Sequence, residues 1–179
     1  LFPVYQGTFE RRLSTAGGPN AVREIVIQRT KDVRRAVDYL ESRPDIDGSR
    51  LAFYGLSMGA NYGAVVGAVE SRFRTLVLVS GGISEGRPPE VSTLSFAPRV
   101  RVPVLMENGR HDFNFPLDES QRPLFRLFGT PEADKKHVLF ESGHVPPFSD
   151  VVRETLDWLD RYLGPVTTGP PGPARAPSV

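Results

Sequence analysis

Apolar residues recur along this chain with two distinct habits. Over residues 22–43, Val33, Ala36, Val37 and Leu40 stand three or four apart with charges between them, which predicts an amphipathic helix. Residues 149–163 repeat the pattern, with Val152, Leu156, Leu159 and Leu163 along one stripe, Ser149 as candidate N-cap and Trp158 at the edge of the face. Short apolar runs occupy residues 1–5, 51–54, 76–79, 102–108 and 136–140. Runs of this length read as strands, and those at 51–54, 76–79 and 102–108 as buried ones. Residues 60–70 are small and apolar at helical spacing, and 117–129 carry Leu117, Leu124, Leu127 and Phe128 in a further helix despite Pro123. The stretches 10–21, 44–48 and 81–100 are connections, marked by Gly, Pro or charge. Strands alternating with helices place the chain in the α/β class: a parallel sheet of about five strands covered by helices on both faces.

The pentapeptide Gly55-Leu56-Ser57-Met58-Gly59 falls between the run at 51–54 and the helix at 60–70. A strand, a tight turn with Ser at its tip and then a helix is the context that gives Gly-x-Ser-x-Gly chemical meaning. The turn predicts strained backbone angles at Ser57, and side chains at Gly55 and Gly59 are expected to collide with neighbouring backbone. The helix N-terminus favours negative charge developing beside its N–H groups.

A serine hydroxyl is a weak nucleophile and needs an adjacent base that a third group orients. The chain has three histidines. His137 lies inside the run at 136–140, which places it on the sheet surface. His111 reads as a loop residue. His144 follows the same run, in a loop at a strand's C-terminal end, where open parallel sheets carry their sites. Asp112 stands in the same relation to the run at 102–108; alone it reads equally as a turn aspartate. Ser57, Asp112 and His144 therefore each follow a different strand, in the order Ser, Asp, His.

With the pentapeptide, the loop Asn108-Gly109-Arg110-His111-Asp112 and the loop Ser142-Gly143-His144-Val145-Pro146-Pro147, the chain resembles the C-terminal portion of an α/β-hydrolase over residues 1–163. Tyr5-Gln6-Gly7-Thr8-Phe9-Glu10-Arg11 and Phe96-Ala97-Pro98-Arg99-Val100 resemble a subgroup related to dienelactone hydrolase, some members of which lie behind a protein kinase domain. The resemblance implies Ser57 as nucleophile, His144 as base and Asp112 as acid, with the Met58 backbone N–H as one oxyanion donor. It also places residues 1–5 at the family's fourth strand, leaving the first three outside the sequence, together with the loop that normally gives the second donor. The backbone of Gln6 or Gly7 is then the expected substitute. An open sheet edge beside the strand at 51–54 is expected, completed by a homodimer, by a rearranged N-terminus or by more chain.

The short spacing from Ser57 to Asp112 leaves no room for a large cap domain, only a small flap at 81–100. Such an open site suits small, soluble acyl esters, with Tyr5, Met58, Phe113 and Phe115 as candidate pocket residues. The expected activity is that of a carboxylesterase. A dienelactone or thioester hydrolase and a prolyl-oligopeptidase-like peptidase share the same triad. A non-catalytic interaction module from a kinase-linked protein is the alternative of another class.

Composition narrows the partners. The net charge of the 179 residues is +1, and the basic residues are scattered, so nucleic acid is not an expected partner. No apolar run approaches the roughly 18 residues of a membrane span. The chain has no Cys, no clustered metal ligands and no phosphate-binding Gly-rich loop, so neither metal nor organic cofactor is expected. With no leader legible, cytoplasmic is the default location. Residues 164–179 are rich in Pro and Gly and hold no core-forming pattern, which predicts an extended tail outside the domain.

Overall fold

Four strands pair in parallel, in the order of the sequence: β1 (Leu51–Leu56), β2 (Phe73–Val79), β3 (Val104–Gly109) and β4 (Lys135–Phe140). The computed structural model describes residues 1–12, 18, 20–84 and 86–166; the tail from residue 167 and part of the 10–21 connection lie outside the described residues. Among the described residues, α-helices connect or flank the strands: α1 (Ala21–Glu41), α2 (Met58–Val69), the one-turn α3 (Thr93–Phe96), α4 (Arg122–Leu127) and α5 (Phe148–Leu163).

β2 and β3 are buried along nearly their whole length, as central strands covered on both faces must be. One face packs Leu76, Leu78, Val104 and Met106 against α1, α2 and α4 through Val37, Ala64 and Leu124. The small residues of α2 let it sit low on β2. The other face packs Val77, Val79 and Leu105 against Val151 and Trp158 of α5. At the end of α2 the buried Glu70 is held by a two-pronged pair with Arg72, whose remaining donor reaches Asp38 and Glu41 of α1 at 2.7 Å. This pairing holds the Glu70 carboxyl below its ordinary pKa and ties the two helices together.

Residues 1–5 do not form the fifth strand that their apolar run suggests. Pro3 lacks an N–H. The Val4 carbonyl accepts from Arg11 Nη1 at 2.8 Å, and the Tyr5 carbonyl from the Thr8 amide and hydroxyl at 3.0 and 2.7 Å. Among the described residues β1 consequently has a strand neighbour on one side only. Its burial alternates, leaving Tyr54 and Leu56 about half exposed.

The connections also differ from the sequence pattern. Residues 117–129 divide into a wide turn, Leu117–Gln121, followed by α4, where Pro123 occupies the first turn and its missing N–H costs nothing. α5 begins at Phe148, so Ser149 lies inside the helix and Pro147 holds the cap position. The buried stripe of α5 is shifted by one residue from the apolar one. Val151 and Trp158 are buried, while Leu156 is more than half exposed. Polar partners explain the shift: the Thr155 hydroxyl donates to Glu107 at 2.8 Å and Trp158 Nε1 to Thr75 Oγ1 at 2.7 Å.

Candidate active site

All four strands run the same way, so the loops that follow β1, β3 and β4 gather at one edge of the sheet. Ser57 is the residue between β1 and α2. Its φ of 52° and ψ of −106° are a strained conformation for a residue with a side chain. The surroundings enforce it: the Ser57 amide donates to the Val79 carbonyl at 2.8 Å, and its carbonyl accepts from the Asn61 amide at 2.9 Å. A Cβ at Gly55 would stand 2.5 Å from the carbonyl carbon of Gly59, so the turn closes only over glycine there. Gly59 differs from expectation, because a Cβ there would meet nothing within 4 Å.

Ser57 Oγ lies 2.8 Å from Nε2 of His144, and Nδ1 of His144 lies 2.8 Å from Oδ2 of Asp112. The aspartate is buried, yet both oxygens are satisfied: Oδ1 accepts from the amides of Asn114 and Phe115 at 2.8 and 3.2 Å. An acid fixed on Nδ1 sets the tautomer with its hydrogen there, leaving Nε2 as an acceptor facing the hydroxyl. The loop carrying His144 rests on the end of β3, where a side chain on Gly109 would overlap the Gly143 carbonyl.

Three buried polar residues hold the Asp112 loop and the neighbouring connection after β2. Gln121 Nε2 donates to the carbonyls of Gly109 and Phe115 at 2.9 and 2.8 Å, bracing the loop of Asp112. Asn108 Nδ2 donates to the Gly81 carbonyl at 2.8 Å, and Asn61 Nδ2 to the Gly82 carbonyl at 2.7 Å. The only sequence signal is an amide residue inside an otherwise apolar or small run, as at Asn61 and Asn108.

The other two histidines stand apart from the site. His137 packs on the Phe125 ring, with Nε2 3.1 Å from Asn108 Oδ1; burial, helped by the charge of Arg122, lowers its pKa to about 4. His111 is exposed and lies 3.2 Å from Glu141.

Met58 opens α2, so its N–H is one of the donors that a helix leaves without an intrahelical acceptor. The amides of Gln6 and Gly7, expected as a substitute second donor, are engaged elsewhere. Gln6 N–H donates to Asp32 Oδ2 at 2.7 Å, and Gly7 N–H to the Arg11 carbonyl at 2.9 Å. Neither is free for a substrate oxygen in this arrangement.

The expected pocket residues separate. Tyr5 and Met58 line an apolar groove of about 690 Å³ between residues 1–9 and the unpaired edge of β1. Leu56 and Gly59 also line it, so the groove flanks Ser57 from the side away from His144. Phe115 is elsewhere, its ring 6.0 Å from the His144 imidazole. Phe113 is 82% exposed and is not part of this groove, because the Asp112 turn points it outward. Among the described residues no cluster of three or more His, Cys, Asp or Glu is arranged to hold a metal ion, and no helix is long and apolar enough to cross a membrane.

No protein-family model and no curated protein matches the chain. Solved structures do. A cold-adapted esterase from an Arctic intertidal metagenomic library is 26% identical and superposes with a TM-score of 0.69 over 89% of this chain and 67% of its own. A candidate dienelactone hydrolase of Klebsiella pneumoniae subsp. pneumoniae is 18% identical, with a TM-score of 0.65 over 83% of this chain and 69% of its own. The acetyl xylan esterase of Paenibacillus sp. R4 is also 18% identical, with a TM-score of 0.66 over 86% and 61%. The chain thus spans about two thirds of the length of these proteins. Its fold is that of the α/β-hydrolases, with four parallel strands among the described residues.

Proposed function

We propose that this chain is a serine hydrolase that cleaves small acyl esters through an acyl-enzyme. The observation that carries the reading is the unbroken series Ser57 Oγ, His144 Nε2, His144 Nδ1, Asp112 Oδ2, with both links at 2.8 Å. Ser57 Oγ attacks the ester carbonyl while His144 Nε2 takes the hydroxyl proton. The tetrahedral oxyanion forms beside the Met58 N–H at the start of α2. The ester C–O bond then breaks, and His144 returns the proton to the departing alkoxide. Water enters by the same route in reverse, giving up a proton to His144 and releasing the carboxylic acid and Ser57. Asp112 keeps the imidazole oriented and stabilises its charged form. An ester rather than an amide substrate is the reading supported by a cold-adapted esterase and an acetyl xylan esterase among the similar structures.

The test is hydrolysis of 4-nitrophenyl acetate and butyrate by the chain beside Ser57→Ala and His144→Ala. Turnover that disappears in both variants supports the reading. Equal, near-background rates in all three, in folded protein, overturn it.

One observation favours a second reading, a non-catalytic interaction module: the amides of Gln6 and Gly7 are taken, so Met58 is the one oxyanion donor in view. Losing such a donor typically costs on the order of 10² to 10³ in turnover. A fluorophosphonate separates the readings. Labelling that needs Ser57 and His144 favours the enzyme, and no labelling of folded chain favours the module.

A further inference from the structure

Tyr62 lies one turn into α2, on the same side of the helix as Met58, and two guanidinium groups cover its ring. Arg29 approaches from α1, with Cζ 5.5 Å from the ring centroid, and Arg87 from the connection after β2, at 4.7 Å. Arg29 is held in place: Nε donates to the Gln6 carbonyl at 3.0 Å, Nη1 donates to the Tyr62 hydroxyl at 3.0 Å and lies 2.9 Å from Met58 Sδ. Arg87 is not. Its Nη1 is shielded from solvent and donates to no acceptor.

Among the described residues neither arginine pairs with a carboxylate. Eight of the sixteen other described arginines do, including Arg11, Arg34, Arg43, Arg72 and Arg110. Two like charges over one ring, one of them with a buried, unsatisfied donor, are an unfavourable arrangement on their own. Burial, with the Arg29 charge adding to it, holds the Arg87 pKa below its ordinary value. An anion between the two groups would satisfy the buried donor and cancel the repulsion. Guanidinium groups suit carboxylates, which accept from them in paired, charge-assisted hydrogen bonds.

We propose that Arg29 and Arg87 form an anion subsite that receives a carboxylate carried by the ester substrate, beside the start of the helix that Ser57 precedes. The inference rests on the reading of Ser57 as nucleophile. Arg29 Nη1 lies 2.9 Å from Sδ of Met58, the residue that follows Ser57, which sets the pair beside the nucleophile's turn. The favoured substrates are then half-esters of short dicarboxylic acids.

The first measurement is pH-stat hydrolysis of monoethyl glutarate and of the neutral ethyl pentanoate. The half-ester should be preferred in kcat/KM by about tenfold or more, the size that a hydrogen bond to a charged group gives. In Arg87→Gln that preference should fall by a similar factor, through KM, and Arg87→Lys should recover part of it. A preference ratio unchanged in Arg87→Gln overturns the proposal. The second measurement is calorimetric titration of glutarate into Ser57→Ala, with and without Arg87→Gln, each checked for native circular dichroism. Binding weakened about tenfold by the second substitution is expected; equal affinity, or no binding to either, overturns the subsite. Titration needs no turnover, so glutarate binding without ester hydrolysis would sink the esterase reading and leave the anion site standing.

Discussion

Asp112 holds His144 with one carboxylate oxygen and its own turn with the other. Oδ2 meets the imidazole Nδ1 at 2.8 Å, while Oδ1 accepts from the amides of Asn114 and Phe115. Asp112→Asn keeps a carbonyl oxygen for the turn and loses the acceptor that fixes the Nδ1–H tautomer. The expected result is a folded chain whose kcat on 4-nitrophenyl acetate falls by roughly 10³ to 10⁴. Activity within a few-fold of the parent would show that His144 is oriented by something else.

The glycines on either side of Ser57 should behave differently. At Gly55 an added methyl runs into the Gly59 backbone, which cannot yield without opening the turn; at Gly59 the space is empty. Gly55→Ala is expected to cost about 1–3 kcal/mol or more, as overpacking does, and to abolish esterase activity with it. Gly59→Ala, at a helical position in α2, should fold at least as well as the parent. Urea titration of the two variants is the check, and equal losses would contradict the packing described for the turn.

What is legible in the sequence is what depends on near neighbours. The strand, turn and helix around Ser57 follow from the twenty adjacent residues 51–70, and Asp112 and His144 are placed by the strands just before them. What is not legible depends on partners far along the chain. Trp158 is buried because Thr75, 83 positions earlier, accepts its N–H, and Thr155 turns inward because Glu107 is there to accept. A hydropathy period places Trp158 only at the edge of the core-facing stripe and Thr155 outside it, since it weighs a polar tip without seeing its partner. Gln6 is unavailable as an oxyanion donor because Asp32, 26 positions later, takes its amide. Residues 1–5 have a strand's composition, but composition does not supply a neighbour to pair with.

The pair formed by Trp158 and Thr75 lets α5 be probed on its own. Trp158 is the chain's single tryptophan, and its Nε1 donates at 2.7 Å to a hydroxyl buried beneath the helix. Thr75→Val removes the acceptor but keeps the shape, leaving the indole N–H buried and unpaired. A loss of about 1–3 kcal/mol is expected, together with a shift in tryptophan emission. The Thr75 hydroxyl also donates to the Pro103 carbonyl, so Trp158→Phe, read by circular dichroism, separates the two bonds and should cost less. Unchanged stability in Thr75→Val would mean that α5 is not anchored there.

Glu107 and His137 should oppose each other in the pH dependence of stability. Glu107 is buried in β3, with Oε2 accepting from Thr155 and Oε1 without a partner, and burial raises its pKa from 4.5 to about 7. His137 on the adjacent β4 has its pKa lowered from 6.5 to about 4. Between pH 4.5 and 6.5 the unfolded chain has lost the glutamate proton and holds one on the histidine. The folded chain keeps the first and lacks the second. For these two groups the proton counts match, so their contributions to the slope of stability against pH cancel. Glu107→Gln leaves only the histidine difference, in which the unfolded chain binds more protons, so stability should rise with pH across the window. His137→Gln leaves only the glutamate difference, in which the unfolded chain binds fewer, so stability should fall. Urea midpoints of the parent and both variants at pH 5 and 6.5 decide the matter. Slopes of the same sign in the two variants would show that the burial of one of these groups does not control its charge.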